Sequence, residues 1–149
     1  MVISMVDEHK KFNIRVYGIY IENEKILISI EQIGNYTITK FIGGGLEYGE
    51  GIKDCLIREF KEELNLDVEI ISHFYTTDFF VESFVNKNHQ VISVYYLIRP
   101  TNGLFSIEKL ELSSNQKLAW LDLKEARVED LSLTIDKKVL SMLIDQKNN

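Results

Sequence analysis

Residues 44–66 read GGLEYGEGIKDCLIREFKEELNL, and this stretch decides how the chain is to be read. The spacing predicts a helix from about Ile52 to Leu64, with Ile52, Leu56, Phe60 and Leu64 on one apolar stripe. At 100° per residue, Glu59, Glu62 and Glu63 occupy an adjoining arc of roughly 100°. One face is therefore core, and its neighbour is three carboxylates. Like charges at i,i+4 repel, and Glu59 and Glu63 have no Lys or Arg three or four positions away; Glu62 has Arg58. Taken alone, acids on one helix face are ordinarily just solvated.

The flanking residues change that reading. Gly43-Gly44-Gly45 is the densest glycine cluster and reads as a turn that lets backbone approach a ligand closely. Glu50 precedes the first helical turn, where free N–H groups favour a carboxylate, and Arg58 lies two turns later on the polar side. Asn65 is placed to end the helix in the left-handed conformation. An acidic cluster short of counter-charges calls for an external cation, and all-oxygen ligands select a hard one, Mg²⁺ or Mn²⁺. Such a cation activates water and neutralises a leaving phosphate, which is the chemistry of phosphoanhydride hydrolysis.

Working outward, Phe12–Ile21 and Lys25–Glu31 read as strands joined in a hairpin through Glu22-Asn23-Glu24, and Tyr36–Ile42 alternates as a third. Beyond the helix, residues 67–80, 90–98 and 117–121 read as strands. Residues 123–131 and 135–146 read as helices. Sparse Gly and Pro leave no linker, so one domain over residues 1–149 is expected, with a mixed sheet covered by helices.

The composition of the 149 residues excludes several classes. One cysteine, Cys55, rules out an internal disulfide and a thiolate zinc cage, and His9, His73 and His89 are scattered. A reducing, cytoplasmic compartment fits. The net charge is −6 with no dense basic patch, which argues against nucleic acid or an anionic membrane as main partner. Met1–Val6 lacks the basic flank and length of a signal peptide, and no apolar run approaches a membrane span.

The loop-helix segment resembles the Nudix box, G-x5-E-x7-R-E-U-x-E-E-x-G-U with U a bulky aliphatic. Gly44, Glu50, Arg58, Glu59, Glu62 and Glu63 fall on its invariant positions, and Leu66 on its last aliphatic one. Phe60 and Asn65 depart from it, and Ile42 stands where many members carry Pro. The resemblance implies an α/β/α sandwich with a mixed β-sheet (α+β) and cleavage of a nucleoside diphosphate linked to another moiety. It implies that Glu59, Glu62 and Glu63 hold the cation, completed by the Gly43 carbonyl, with Arg58 and Glu50 orienting the carboxylates. The general base is Glu63 or Glu59 within the box, or a later acid. Many members place such an acid about five residues before the late Trp, where this chain has Asn115; Glu111 and Glu108 lie further back, and Glu82 in another loop.

A second reading is a Nudix-fold module that senses a nucleotide without turnover. A related isomerase needs a cleft cysteine, and Cys55, inside the helix, is poorly placed for one. Cys55 and Trp120 read as core. Arg15 and Tyr17 share a strand face that is most simply an ordinary one, and among Tyr75, Phe79, Phe80, Phe84, Tyr95 and Tyr96 alternation sends neighbours to opposite faces, leaving some free to stack on a base. The substrate is a small molecule of unspecified class: nucleoside triphosphate, ADP-ribose, nucleotide sugar or dinucleoside polyphosphate. A homodimer is compatible with the family and the aromatic content.

Overall fold

A computed structural model describes residues 9–102, 105–110 and 112–149. Its strands are β1 (Lys11–Ile19), β2 (Ile21–Glu22), β3 (Lys25–Ile33), β4 (Tyr36–Lys40), β5 (Ile42–Gly45), β6 (Val68–Thr76), β7 (His89–Pro100) and β8 (Gln116–Asp122). Its helices are α1 (Ile52–Leu64) and α2 (Thr134–Asn148). One sheet runs β5-β1-β7-β6 and is mixed, because β1 and β7 are parallel while the other pairs are antiparallel. In the other, β3 pairs with β2, β4 and β8. No helix among the described residues is long and apolar enough to cross a membrane.

Period-2 alternation sends each central strand's apolar side chains into two separate cores. Tyr17 and Ile19 of β1 and Ile26 and Ile28 of β3 pack with Val139, Leu140 and Leu143 of α2. Val16 and Leu27 pack the other way, with Leu56, Phe60 and Leu64 of α1. This is the α/β/α layering expected, with the strands divided between two sheets. Phe60 is 0% exposed, and burying its ring contributes about 1.5–3 kcal/mol. Its large ring at a position the motif gives to an aliphatic is accommodated fully.

Three local expectations are corrected. The run Phe12–Ile21 breaks at Tyr20: only Ile21 and Glu22 form the hairpin with Lys25 and Ile26, and β1 belongs to the other sheet. Asn23 and Glu24 both take positive φ, 52° and 63°, as a two-residue turn between twisted strands requires. Tyr36–Ile42 likewise divides at Phe41, where the chain passes from one sheet to the other, and the strand expected over 67–80 ends at Thr76.

Residues 123–131 are not a helix. The Asp122 carboxylate accepts the Lys124 N–H, and its carbonyl accepts from Glu125 and Ala126, making a turn; only Val128–Asp130 form a short 3₁₀ segment. Backbone bonds to distant strands outcompete helical ones here, with Leu123 N–H on Glu24 O and Ser132 N–H on Thr39 O. The Ser132 hydroxyl accepts the Thr39 N–H in return, at 2.8 Å, which fixes the start of α2 against β4.

Candidate active site

The glycines lie in a strand. Gly43, Gly44 and Gly45 form the end of β5, paired with Tyr17, Val16 and Arg15 of β1, and the turn expected there comes later, around Tyr48-Gly49. Steric demand explains glycine at two of the positions. A Cβ on Gly43 would sit 1.9 Å from the Val16 carbonyl, and one on Gly44 would sit 2.3 Å from the Glu59 carboxyl carbon. The strand thus presses its bare backbone against an α1 carboxylate.

Arg58 organises the opening of α1. Its Nε and Nη2 donate to Glu50 Oε2 and Oε1 at 2.9 and 2.7 Å, a two-pronged pairing. Nη2 also donates to the Gly45 carbonyl at 3.1 Å, and Nη1 to Glu59 at 3.0 Å and Glu62 at 3.1 Å. Helix spacing leaves Glu59 without a partner, but Arg58 reaches it from the adjacent position. Glu50 also accepts the Glu47 N–H at 2.9 Å. The Arg58 bond, followed by that backbone bond, lowers the Glu50 pKa to about 2.

Two expected results follow. Because the folded pKa of Glu50 is depressed below its ordinary 4.5, the stability it contributes is present above that pH and is lost as pH falls toward 2. Glu50→Gln therefore flattens the acid side of a plot of unfolding temperature against pH. Arg58→Lys, which holds one carboxylate at a time where the guanidinium holds three, is expected to lower both unfolding temperature and turnover, the latter about tenfold.

Asn65 ends α1 at φ 50°, ψ 38°, the left-handed conformation, with its N–H on Lys61 O. Glycine's replacement at this box position is therefore conformationally conservative. Cys55 is buried, and burial pushes its thiol pKa up to about 12, so it is a core residue. Trp120 packs edge-on against Tyr20 beside the α1 core.

Glu59 and Glu63 open into a cleft of about 470 Å³ that Arg15, Tyr17, Lys40 and all three glycines also line. Glu63 Oε2 is buried with no hydrogen-bond partner among the described residues. Burial pushes the Glu63 pKa up to about 7; Lys40 and Arg15 oppose that rise, while Glu31 and Glu59 add to it. Glu62 stands apart, 60% exposed and turned to Arg58, outside the cleft lining. Among the described residues no three acidic, His or Cys side chains converge as they stand on one metal position, and Arg58 pairs with both Glu59 and Glu62. The all-oxygen donors, the orphaned Glu63 oxygen and the space kept by Gly44 nevertheless suit a hard divalent cation.

Arg15 and Tyr17 are part of this cleft wall. Arg15 Nε donates to Tyr17 Oη at 2.7 Å. Burial works against the Arg15 charge, but Tyr17, Glu59 and Glu63 more than offset it and raise its pKa. Asp136 of α2, fully buried, accepts hydrogen bonds from the Tyr95 hydroxyl and the Phe41 N–H. Burial pushes its pKa up to about 6, against those bonds and Lys40. Lys40 and Asp136 carried no signal in the sequence, because a lysine in an alternating strand and an aspartate in a first helical turn are both ordinary surface choices. Glu82 lines the cleft from the segment between β6 and β7, whereas Phe79 and Phe80 do not and Phe84 does. Glu108 lies outside the lining, Asn115 accepts a hydrogen bond from Ser113, and Glu111 lies outside the described residues.

The model of the NUDIX domain matches residues 11–143, nearly all of the chain. The chain belongs to the Nudix family. The Nudix box is thus the β5-loop-α1 unit just described. An mRNA-decapping protein of Variola virus, OPG122, is 31% identical over 74 residues, half of this chain, which spans only 26% of that relative's length. Among solved structures, the MutT protein of Methanosarcina mazei superposes with a TM-score of 0.70 at 18% identity, covering 96% of this chain and 99% of the other. The E. coli ORF135 protein gives 0.69 at 19% identity, covering 93% and 92%. These likenesses carry the Nudix fold across the whole cleft, beyond the box.

Proposed function

We propose that this Nudix protein is a pyrophosphohydrolase, dependent on Mg²⁺ or Mn²⁺, that cleaves a nucleoside diphosphate linked to another moiety. The supporting observation is the half-buried carboxylate of Glu63, its buried Oε2 orphaned, beside Glu59 at a cleft end that β5 keeps open with bare glycine backbone. Glu59 and Glu63, with the Gly43 carbonyl and with Glu62 from the exposed side, would hold the cation. When bound, it lowers the pKa of a water and neutralises charge on the leaving phosphate. Arg58 and Glu50 hold the box in register from behind the strand. Arg15, kept charged by its neighbours, faces the substrate from β1. For proton removal from water the cleft offers Glu63 and Glu59 on α1 and Glu82 from the segment between β6 and β7. Cys55, a free buried thiol, suits a reducing cytoplasm, and the exposed Ile71 on edge strand β6 suits a homodimer.

The reading is tested by phosphate or nucleotide release from a panel of nucleoside triphosphates, ADP-ribose, nucleotide sugars and dinucleoside polyphosphates, with cation and with chelator. Capped RNA joins the panel because the Variola relative is an mRNA-decapping protein, although the net charge of −6 weighs against RNA. Turnover abolished by chelator supports the hydrolase. Asn115, standing where many members of the family place a late acid, favours as second reading a nucleotide-sensing module without catalysis. Tight nucleotide binding with no turnover across the panel would establish that sensor instead.

A further inference from the structure

A second cavity, of about 210 Å³, shares no lining residue with the cleft. Glu22, Asn23, Lys25, Phe105 and Trp120 line it, at the corner where the β2–β3 turn meets β8. Register puts Glu22 opposite Lys25, Lys25 opposite Asp122 and Leu27 opposite Trp120, and paired residues share a sheet face. Lys25 and Leu27, two apart on β3, share that face too. One face of the corner therefore carries a lysine between two carboxylates, with the indole beside them. Lys25 set against Glu22 and Asp122 leaves this corner one negative charge in excess.

Packing fixes the aromatic walls. Phe105 and Trp120 stand nearly perpendicular, at 85° with centroids 5.9 Å apart, and each also packs on Tyr20 at 5.5 Å. Tyr20 is buried, whereas Phe105 and Trp120 are half-buried and keep ring surface for the cavity. The Tyr20 hydroxyl donates to Glu22 Oε2 at 2.6 Å, which holds the carboxylate at the edge of the aromatic cluster. Its other oxygen accepts no hydrogen bond among the described residues, and Glu22 forms no ion pair with any of them, Lys25 included.

Two ring faces at a right angle and one anchored carboxylate select a ligand. A hard metal ion wants several oxygens, and the rings supply none. Aromatic faces and a carboxylate both attract positive charge, and the faces also take up alkyl groups carried on it. A cleft for a drug-sized molecule holds about 300–1,000 Å³, so this smaller cavity admits a headgroup and not a nucleotide. We infer that the corner binds a small methylated ammonium ion, its methyl groups against Phe105 and Trp120 and its charge balanced by Glu22. The site is separate from the diphosphate chemistry proposed for the cleft and does not depend on it.

Trp120 is the one tryptophan of the chain, so its emission reports the site directly. The full chain is titrated with tetramethylammonium chloride. Sodium chloride at the same ionic strength and tert-butanol, which has the methyl groups without the charge, serve as controls. A saturable change with a dissociation constant of about 1 mM is expected for tetramethylammonium, and binding at least about tenfold weaker for tert-butanol. Glu22→Gln, at an exposed hairpin position, is expected to weaken tetramethylammonium about fivefold. Phe105→Leu, which keeps an apolar side chain in the cluster, is expected to weaken it about tenfold. A response no different from that to sodium chloride, equal binding of tert-butanol, or wild-type affinity in both variants overturns the site. Failure of the nucleotide panel to be hydrolysed would sink the hydrolase reading and leave this site standing.

Discussion

Gly44→Ala is expected to lower kcat/KM by about 100-fold while lowering the unfolding temperature by no more than about 5 °C. The added methyl would lie 2.3 Å from the Glu59 carboxyl carbon and 2.4 and 2.5 Å from its two oxygens. Backbone on β5 is pinned by pairing with β1, so the flexible end of Glu59 gives way. The structure therefore loses little and the cleft loses a placed carboxylate; a displacement of about 1 Å at a reacting centre costs about that factor. Steady-state kinetics beside a melting curve decide it. Unchanged kcat/KM in a folded variant would remove Glu59 from the site. Gly43→Ala is no substitute, since its methyl would collide with the fixed Val16 carbonyl at 1.9 Å.

Glu63→Gln is expected to lose at least about 100-fold in kcat/KM and to melt at the wild-type temperature or above it in metal-free buffer. The two effects separate function from structure. A half-buried carboxylate with one buried oxygen left without a hydrogen-bond partner is held for something other than stability, and an amide in its place is cheaper to bury than a charge. The sign with pH follows from burial: the folded pKa is raised from 4.5 to about 7, so the cost of Glu63 is absent below the lower value and complete above the upper. The variant's stability advantage in metal-free buffer should accordingly grow across that interval. Added Mg²⁺ or Mn²⁺ should raise the melting temperature of the wild type and not of the variant. A variant that keeps full activity would exclude Glu63 from the chemistry.

These expectations draw on unequal amounts of sequence information. The box could be read directly because its residues interact within 20 positions of one another. Helix periodicity sets Phe60 and Leu64 inward and Glu59 and Glu63 beside them, and Asn65 supplies the left-handed stop. Arg58 was legible as the orienting group by position, but not its bond to Glu59, because rules of helix spacing pass over adjacent residues. Strand breaks at Tyr20 and Phe41 were not legible. β-Branched and aromatic residues continue through both, and only the requirement to serve two sheets turns the chain there.

The sequence by itself determined the helix with its apolar and acidic faces, and through the spacing of the box the family and the layering that the family implies, since helix period and motif spacing are both local; that the glycines continue a strand was left to the tertiary structure. Tertiary structure alone decided what shares the cleft. Arg15 and Tyr17, Lys40, Glu82 and Phe84, and Asp136 come from four different segments, and each is an ordinary choice in its own strand, loop or helix. Their roles arise from burial and from charges brought close by chain segments up to about 120 residues apart, and neither exists in a one-dimensional pattern.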